Sequence, residues 1–377
     1  MKIVIAPDKF KGSLTAPEVA HAIEAGFRTV FPRAEYVLVP VADGGDGTME
    51  VLVRATGGSE VRANAVGPDG RPVAAAFGVL PGELGAVVEL AQASGLALLP
   101  EGSNDPRSAT THGTGQLVAA AIEHGAERII VAVGGSATSD GGAGALEALG
   151  ARFMDAAGKD LARGGAALAE LQRIDLEPLQ ERVRGTSIVV ATDVDNPLCG
   201  PRGAAAVYAP QKGADPETVR MLDSALAHFA DVAAATTGED RRNVAGAGAA
   251  GGFGFGFVAL AGATIRPGAS LVLDIVQLDR RVEGASLVVT GEGKLDAQTH
   301  SGKAPAAVAD LARKRGVRTA AVCGSVEAAA DELERIGIFK AVAATPKGMS
   351  LDEALPRAAQ LVEEAAAKLA AGLRGSL

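Results

Sequence analysis

SLVVTGEGKLDAQTHSGKAP, residues 286–305, sets an apolar, β-branched run against a charged loop and then a helix start. The run is continuously apolar rather than alternating, which marks a strand buried on both faces, the habit of parallel sheets. Glu292, Lys294 and Asp296 follow it directly, and Ser301 to Pro305 read as the opening of the next helix. The two Gly-Lys pairs suggest phosphate, yet neither completes the nucleotide P-loop. That motif needs a glycine five residues before the Gly of the pair, and Ser or Thr after the lysine. Val288 and Ala297 stand at the first place, Leu295 and Ala304 at the second.

The same strand-then-charge pattern recurs along the chain. KIVIAPD (2–8), YVLVPVAD (36–43), AVVEL (86–90), RIIVAVGG (128–135), SIVVATDVD (187–195) and RTAAVCG (318–324) are further apolar runs, most of them ending in glycine or a carboxylate. Helical patterns lie between many of them. Thr15-Ala16-Pro17-Glu18 is a capping box, followed by Val19, Ile23, Phe27 and Val30 on one face. Asp215-Pro216 is an N-cap with proline in the first turn. Ser350 and Glu353 cap a last helix that Pro356 must kink or delay. Alternating strand and helix predicts an α/β architecture.

At 377 residues the chain is long for one core and suggests two domains. Glycine and proline cluster without helical period at residues 66–85, and a polar link lies near 279–284. These breaks predict one domain built from both chain ends, 1–72 and 285–377, with a second α/β domain, 73–284, inserted. A second Gly-rich zone, AGAGAAGGFGFGF (245–257), contains a dinucleotide-like GAGAAG, but it follows Arg241-Arg242-Asn243 rather than a buried strand.

A net charge of −9 and an aromatic content of 3% argue against a nucleic-acid partner, which would need cations and stacking platforms. No run approaches about 18 consecutive apolar residues, so no membrane span is expected. The opening MKIVIAPDKF reaches Asp8 too soon for a signal peptide. Cys199 and Cys323 have no metal spacing and fit a reducing cytoplasm better than a disulfide framework.

In open α/β sheets, ligands sit beyond the carboxyl ends of the strands, and this sequence puts its unusual residues there. PDKFKGS (7–13) offers Asp8, Lys9, Lys11 and Ser13. VADGGDGT (41–48) offers Asp43 and Asp46 around paired glycines. VGGSATSDGGAG (133–144) offers Gly134, Gly135, Ser136 and Thr138 as an anion site, because glycine leaves backbone N–H groups uncovered. THGTGQL (111–117) opens a helix with small donors, of which His112 and Thr114 are the candidates. Asp193 and Asp195, two apart, would face the same side of an extended strand and so could share a metal ion. Glu292, Lys294, Asp296 and Lys303 complete the set. Six loops of carboxylates, lysines and glycines suit a small charged substrate together with a metal–phosphate cofactor. Phosphoryl transfer needs helix-start amides, lysines and oxygen ligands for Mg²⁺, plus a carboxylate to accept the hydroxyl proton. Asp296 is the candidate base, with Asp46 its rival, and Lys294 a phosphate partner.

Taken together, PDKFKGS, PVADGGDGT, QASGL (92–96), THGTGQL, GGSATSDGGAG, ATDVDNPLCGPRGAA (191–205), PQKGA (210–214), GAGAAGG (246–252) and TGEGKLDAQTHSGKAP resemble bacterial two-domain glycerate kinases, in order from about residue 1 to 370. The resemblance implies phosphorylation of D-glycerate with ATP and Mg²⁺, the 2-phosphoglycerate product being favoured over 3-phosphoglycerate. It also implies a flavodoxin-like, doubly wound domain made from both chain ends, an inserted α/β domain and an active site in the interdomain cleft. Another short hydroxy-acid is the alternative substrate. A dinucleotide oxidoreductase would need a glycine fingerprint after the first strand, where APDKFKGS stands. A non-catalytic hydroxy-acid binder would have to gather carboxylates around an anion with no cation to offset them.

Overall fold

A computed structural model describes residues 1–296 and 303–375. The helix opening expected at Ser301 and Gly302, and His300 before it, lie outside the described residues. The chain divides into two compact units: Met1–Asp43 with Glu50–Thr56 and Gly268–Leu377, and Gly44–Met49 with Gly57–Pro267.

The first unit is built on five parallel strands, Lys2–Ile5, Glu35–Leu38, Leu287–Thr290, Thr319–Cys323 and Ile338–Ala343. Across the sheet they lie in the order second, first, third, fourth, fifth. The order therefore reverses between Lys2–Ile5 and Leu287–Thr290, where Ile3 stands opposite Leu287 and Ile5 opposite Val289. Both faces are covered, as the continuous apolar runs require. On one face Ile3, Ile5, Leu287, Val289 and Val322 are buried with Ile23 and Phe27 of the helix Ala16–Val30 and Val362 and Leu369 of the helix Ala358–Ala371, and on the other Val4 and Val288 are fully buried. Burying each large apolar side chain contributes about 1.5–3 kcal/mol. Gly26 lets those two helices close together: a Cβ there would lie 2.3 Å from the Glu363 carbonyl oxygen. Thr15 caps the first helix in a complete capping box. Ser350 does the same for a four-residue helix, Leu351–Ala354, and Pro356 then sits in a 3-10 turn before the long helix resumes at Ala358.

The second unit holds a six-stranded sheet in chain order, Ser59–Val66, Pro72–Leu80, Gly85–Glu89, Arg128–Ala132, Ser187–Ala191 and Thr264–Arg266. The last four run parallel to one another, and Pro72–Leu80 runs antiparallel to both of its neighbours. Ser59–Val66 precedes the boundary read at residue 72, but it pairs along its whole length with Pro72–Leu80 and so belongs to this sheet. At the other boundary the helix Gly268–Ile275, upstream of residue 285, falls in the first unit. Phe229, Phe253, Phe255 and Phe257 fill the core, with Phe229 edge-on to Phe255 at 5.4 Å. Asp215 caps the 22-residue helix Pro216–Thr237, accepting from the Thr218 amide.

Candidate active site

In the first unit the reversal of strand order coincides with a cluster of charge. The Asp8 amide donates to the Gly291 carbonyl (2.8 Å) and the Thr290 hydroxyl to the Ala6 carbonyl (2.8 Å). These bonds carry the pairing of the two central strands past their ends. Asp8 and Glu292 leave the sheet there, both buried. Asp8 is held well above the ordinary carboxylate range, first by burial and then by the charge of Asp43; Glu292 adds to this, against the opposing amide and charge of Lys9. Gly291 makes the loop possible, since a Cβ on it would meet the Val322 carbonyl oxygen at 2.0 Å. Lys303, at the cap of the helix Ala304–Lys314, has its ammonium 3.8 Å from Glu292 and 3.8 Å from Asp296. Lys294 is half exposed, 2.9 Å from Glu327 and 3.9 Å from Asp296. Lys11 is exposed on a tight turn in which Phe10 and Leu14 pair, with Gly12 at φ +80°. Ser13 donates to the Phe10 carbonyl inside that turn (3.1 Å), and Lys9 is half-buried beside Asp8.

In the second unit the loop Gly134–Thr138 leaves the carboxyl end of Arg128–Ala132. It packs on the loop of Asp46: a Cβ at Gly134 would lie 2.5 Å from the Gly45 Cα, and one at Gly135 (φ +71°) 2.6 Å from Asp46 Oδ1. Buried Glu89 steadies the Asp46 loop from the neighbouring strand, accepting from the Met49 amide (2.7 Å). Ser136 and Thr138 share a hydroxyl–hydroxyl bond of 2.9 Å. Asp140, fully buried, accepts from the Thr111 amide and hydroxyl (2.8 and 2.9 Å) and from the amides of Gly142 and Gly144. Burial nevertheless raises it above its ordinary value. The Gly-rich zone serves this loop too. A Cβ on Gly251 would lie 2.1 Å from the Thr138 carbonyl oxygen, and one on Gly256 2.2 Å from that of Gly141.

The side chains of Thr114 and His112 are engaged within the protein. Thr114 is buried with its hydroxyl 2.7 Å from that of Ser94. His112 Nδ1 donates to Glu147 (3.1 Å), which also accepts from Arg163 (2.8 Å). The glycines around them give close packing: Cβ atoms at Gly113 and Gly115 would meet the carbonyls of Val66 and Ala145 at 1.9 and 2.3 Å. The strand before Asp193 ends at Ala191, so the alternation that would aim Asp193 and Asp195 together does not extend to them. Asp193 is half-buried, whereas Asp195 is exposed and accepts from Arg202 (3.1 Å).

Among the described residues no three His, Cys, Asp or Glu side chains are arranged to cage a metal ion. Mg²⁺ does not demand a cage: one or two carboxylates with substrate phosphates suffice. The carboxylates clustered at Asp8, Asp43 and Glu292 have the chemistry such an ion offsets. Glu89 and Lys212 were not singled out by sequence reasoning, and Asp8 was named with its loop but given no role. Asp8 carried the available signal, a carboxylate directly after a strand; buried Lys212, described below, had none beyond its PQKGA context.

The chain matches the glycerate kinase family over residues 3–374. It is 45% identical over 374 residues to a glycerate kinase of Bacillus subtilis (strain 168), covering 99% of this chain and 98% of that one. It is 43% identical over 380 residues to the glycerate 2-kinase of Escherichia coli (strain K12), with all of both chains covered. A crystal structure from Salmonella typhimurium LT2 superposes with a TM-score of 0.87 at 43% identity, covering 100% of this chain and 99% of that one. Parallel α/β sheets with phosphate-suited strand-end loops and these relatives define a kinase that transfers a phosphoryl group to an alcohol. The chain belongs to the glycerate kinase family.

Proposed function

We propose that this chain phosphorylates D-glycerate with ATP and Mg²⁺ by in-line transfer to the 2-hydroxyl. The observation that carries this reading is the cluster of Asp8, Asp43, Glu292 and Lys303 where the strand order of the first unit reverses. That order is the flavodoxin-like 2-1-3-4-5, whose ligands gather at the reversal. The name of the Escherichia coli relative supports the 2-hydroxyl.

Mg²⁺, when bound, supplies charge neutralisation at the phosphate oxygens; in the first unit Asp43 and Glu292 are the carboxylates we assign to hold it, and in the second unit Asp193 is the candidate, with Asp195 secondary because of its bond to Arg202. Asp8 is assigned as acceptor of the hydroxyl proton, because a buried carboxyl with a raised pKa is poised nearer working pH than an exposed one. Asp296 and Asp46 are the rival bases. Lys303, Lys9 and Lys11 offset phosphate charge, and the amides of Gly134 and Gly135 with the hydroxyls of Ser136 and Thr138 receive an oxyanion. The compartment proposed is the cytoplasm, in keeping with two free cysteines; no described helix is long and apolar enough to cross a membrane. Initial rates on D-glycerate, L-glycerate, glycolate, lactate and tartronate with Mg-ATP test the assignment. D-glycerate should give the highest kcat/KM, and a faster rate on another hydroxy-acid would replace it as substrate.

A further inference from the structure

We propose that Lys212 is the cationic floor of an oxyanion site formed with the loop Gly134–Thr138, its ammonium binding an oxygen of one of the two substrates directly. The inference rests on the kinase reading and adds a binding residue to it. Lys212 ends the 3-10 turn Pro210–Lys212 and is only 3% exposed. Its ammonium donates to the Thr138 carbonyl (2.6 Å) and, at a longer 3.4 Å, to the Ser136 hydroxyl. Asn104 holds the turn and the loop together, its Nδ2 donating to the carbonyls of Lys212 (2.7 Å) and Ala137 (3.0 Å).

An ammonium carries three N–H donors, and two of them point into the loop. Among the described residues the third has no acceptor, and no carboxylate lies within 4.0 Å of the nitrogen. The charged group that acts on it is Asp140, from farther away, and that carboxylate is already occupied by Thr111, Gly142 and Gly144. A buried cation without a counter-ion is costly, and an arriving anion removes the cost. Burial accordingly pushes the Lys212 ammonium down to about 8. Ser136 is half-buried and Gly135 exposed, so the loop that covers this ammonium reaches solvent. The chemistry required is a charged oxygen that accepts a hydrogen bond. A phosphate oxygen of ATP and the carboxylate of glycerate both supply it, and the experiment separates them.

Wild type, Lys212→Met and Lys212→Arg are compared in the full-length chain. The readouts are Kd for Mg-ATP and for D-glycerate by calorimetry, kcat/KM from about pH 6.5 to 9.5, and melting temperature. Lys212→Met should melt cooperatively and bind one substrate at least about tenfold more weakly. A loss confined to Mg-ATP assigns the phosphate, and one confined to D-glycerate assigns the carboxylate. Wild-type activity should fall on the alkaline side of about pH 8, as the ammonium loses its charge. Lys212→Arg, which stays charged, should lack that fall. Both Kd values within about twofold of wild type in Lys212→Met, or an alkaline fall retained in Lys212→Arg, would overturn the proposal. If Lys212→Met fails to fold, the pH profile of Lys212→Arg decides alone. Should the wild type not phosphorylate D-glycerate, the kinase reading fails separately. Inorganic phosphate binding then decides: weakening from pH 7 to 9.5 in wild type but not in Lys212→Arg supports the site, and equal weakening in both ends it.

Discussion

Asp8 and Glu292 leave adjacent parallel strands at the reversal of strand order, tied by the bond from the Asp8 amide to the Gly291 carbonyl (2.8 Å). Burial first, then the charge of Asp43 and, least, that of Glu292 hold Asp8 above the ordinary carboxylate range. The fold tolerates this cost at the place where we propose that a cation and a proton acceptor act.

Asp8→Asn should therefore stabilise the ligand-free protein at neutral pH while depressing kcat by about a hundredfold or more. The sign follows from linkage. A folded pKa raised above 3.8 means that ionisation opposes folding, so the wild-type deficit grows as pH rises through the folded value and vanishes below about 3.8. Melting curves of both proteins from pH 5 to 8 check it; a variant less stable than wild type throughout would show that the carboxylate is satisfied in the fold.

Lys303 and Lys294 should separate. Lys303 stands within 4 Å of Glu292 and Asp296, whereas Lys294 is half exposed and bonded to Glu327. Lys303→Met should cut kcat/KM for Mg-ATP at least about tenfold, and Lys294→Met less than about threefold, since exposed ion pairs contribute little. Equal losses would mean that Lys294 reorients toward the nucleotide.

Much of the fold was legible, because its governing features are local. Continuous apolar runs such as Leu287–Thr290 have to be buried on both faces, and Thr15, Asp215 and Ser350 announced their helices by cap chemistry. The limits of the two units were less legible: residues 59–66 carry no clear alternation, and their place is decided by long-range pairing with Pro72–Leu80. At the site, a strand end says that a residue lies on the right edge but not where its side chain is engaged. Thr114 turned inward to Ser94, His112 to Glu147 and Asp195 to Arg202, while Lys212 reached the Gly134–Thr138 loop from 74 residues away in sequence.

Gly134→Ala tests whether the glycine loop needs its close approach. Its Cβ would lie 2.5 Å from the Gly45 Cα, so backbone must move. The expected cost is about 1–3 kcal/mol of stability with a larger proportional loss of kcat/KM. Gly251→Ala, which would press on the Thr138 carbonyl from the other side, should behave alike. Full activity in both would show that the loop's spacing is not used in binding.

Glu147 sets an acid limit. Burial alone would raise it, but hydrogen bonds from His112 and Arg163 outweigh that and hold the carboxyl at about 2. Its contribution is present above the ordinary 4.5 and is lost as pH falls through about 2. Glu147→Gln should flatten the fall in urea midpoint between about pH 5 and 3; an unchanged slope would assign the acid sensitivity to other carboxyls.

The central claim is phosphoryl transfer from ATP to the 2-hydroxyl of D-glycerate, and phosphorus NMR of the reaction mixture tests it most directly. With Mg-ATP and D-glycerate, the account predicts loss of the γ-phosphate signal and growth of a single phosphomonoester coupled to the one proton on C2. A phosphomonoester coupled to the two protons of C3, or ATP left intact beside unreacted glycerate, would contradict it.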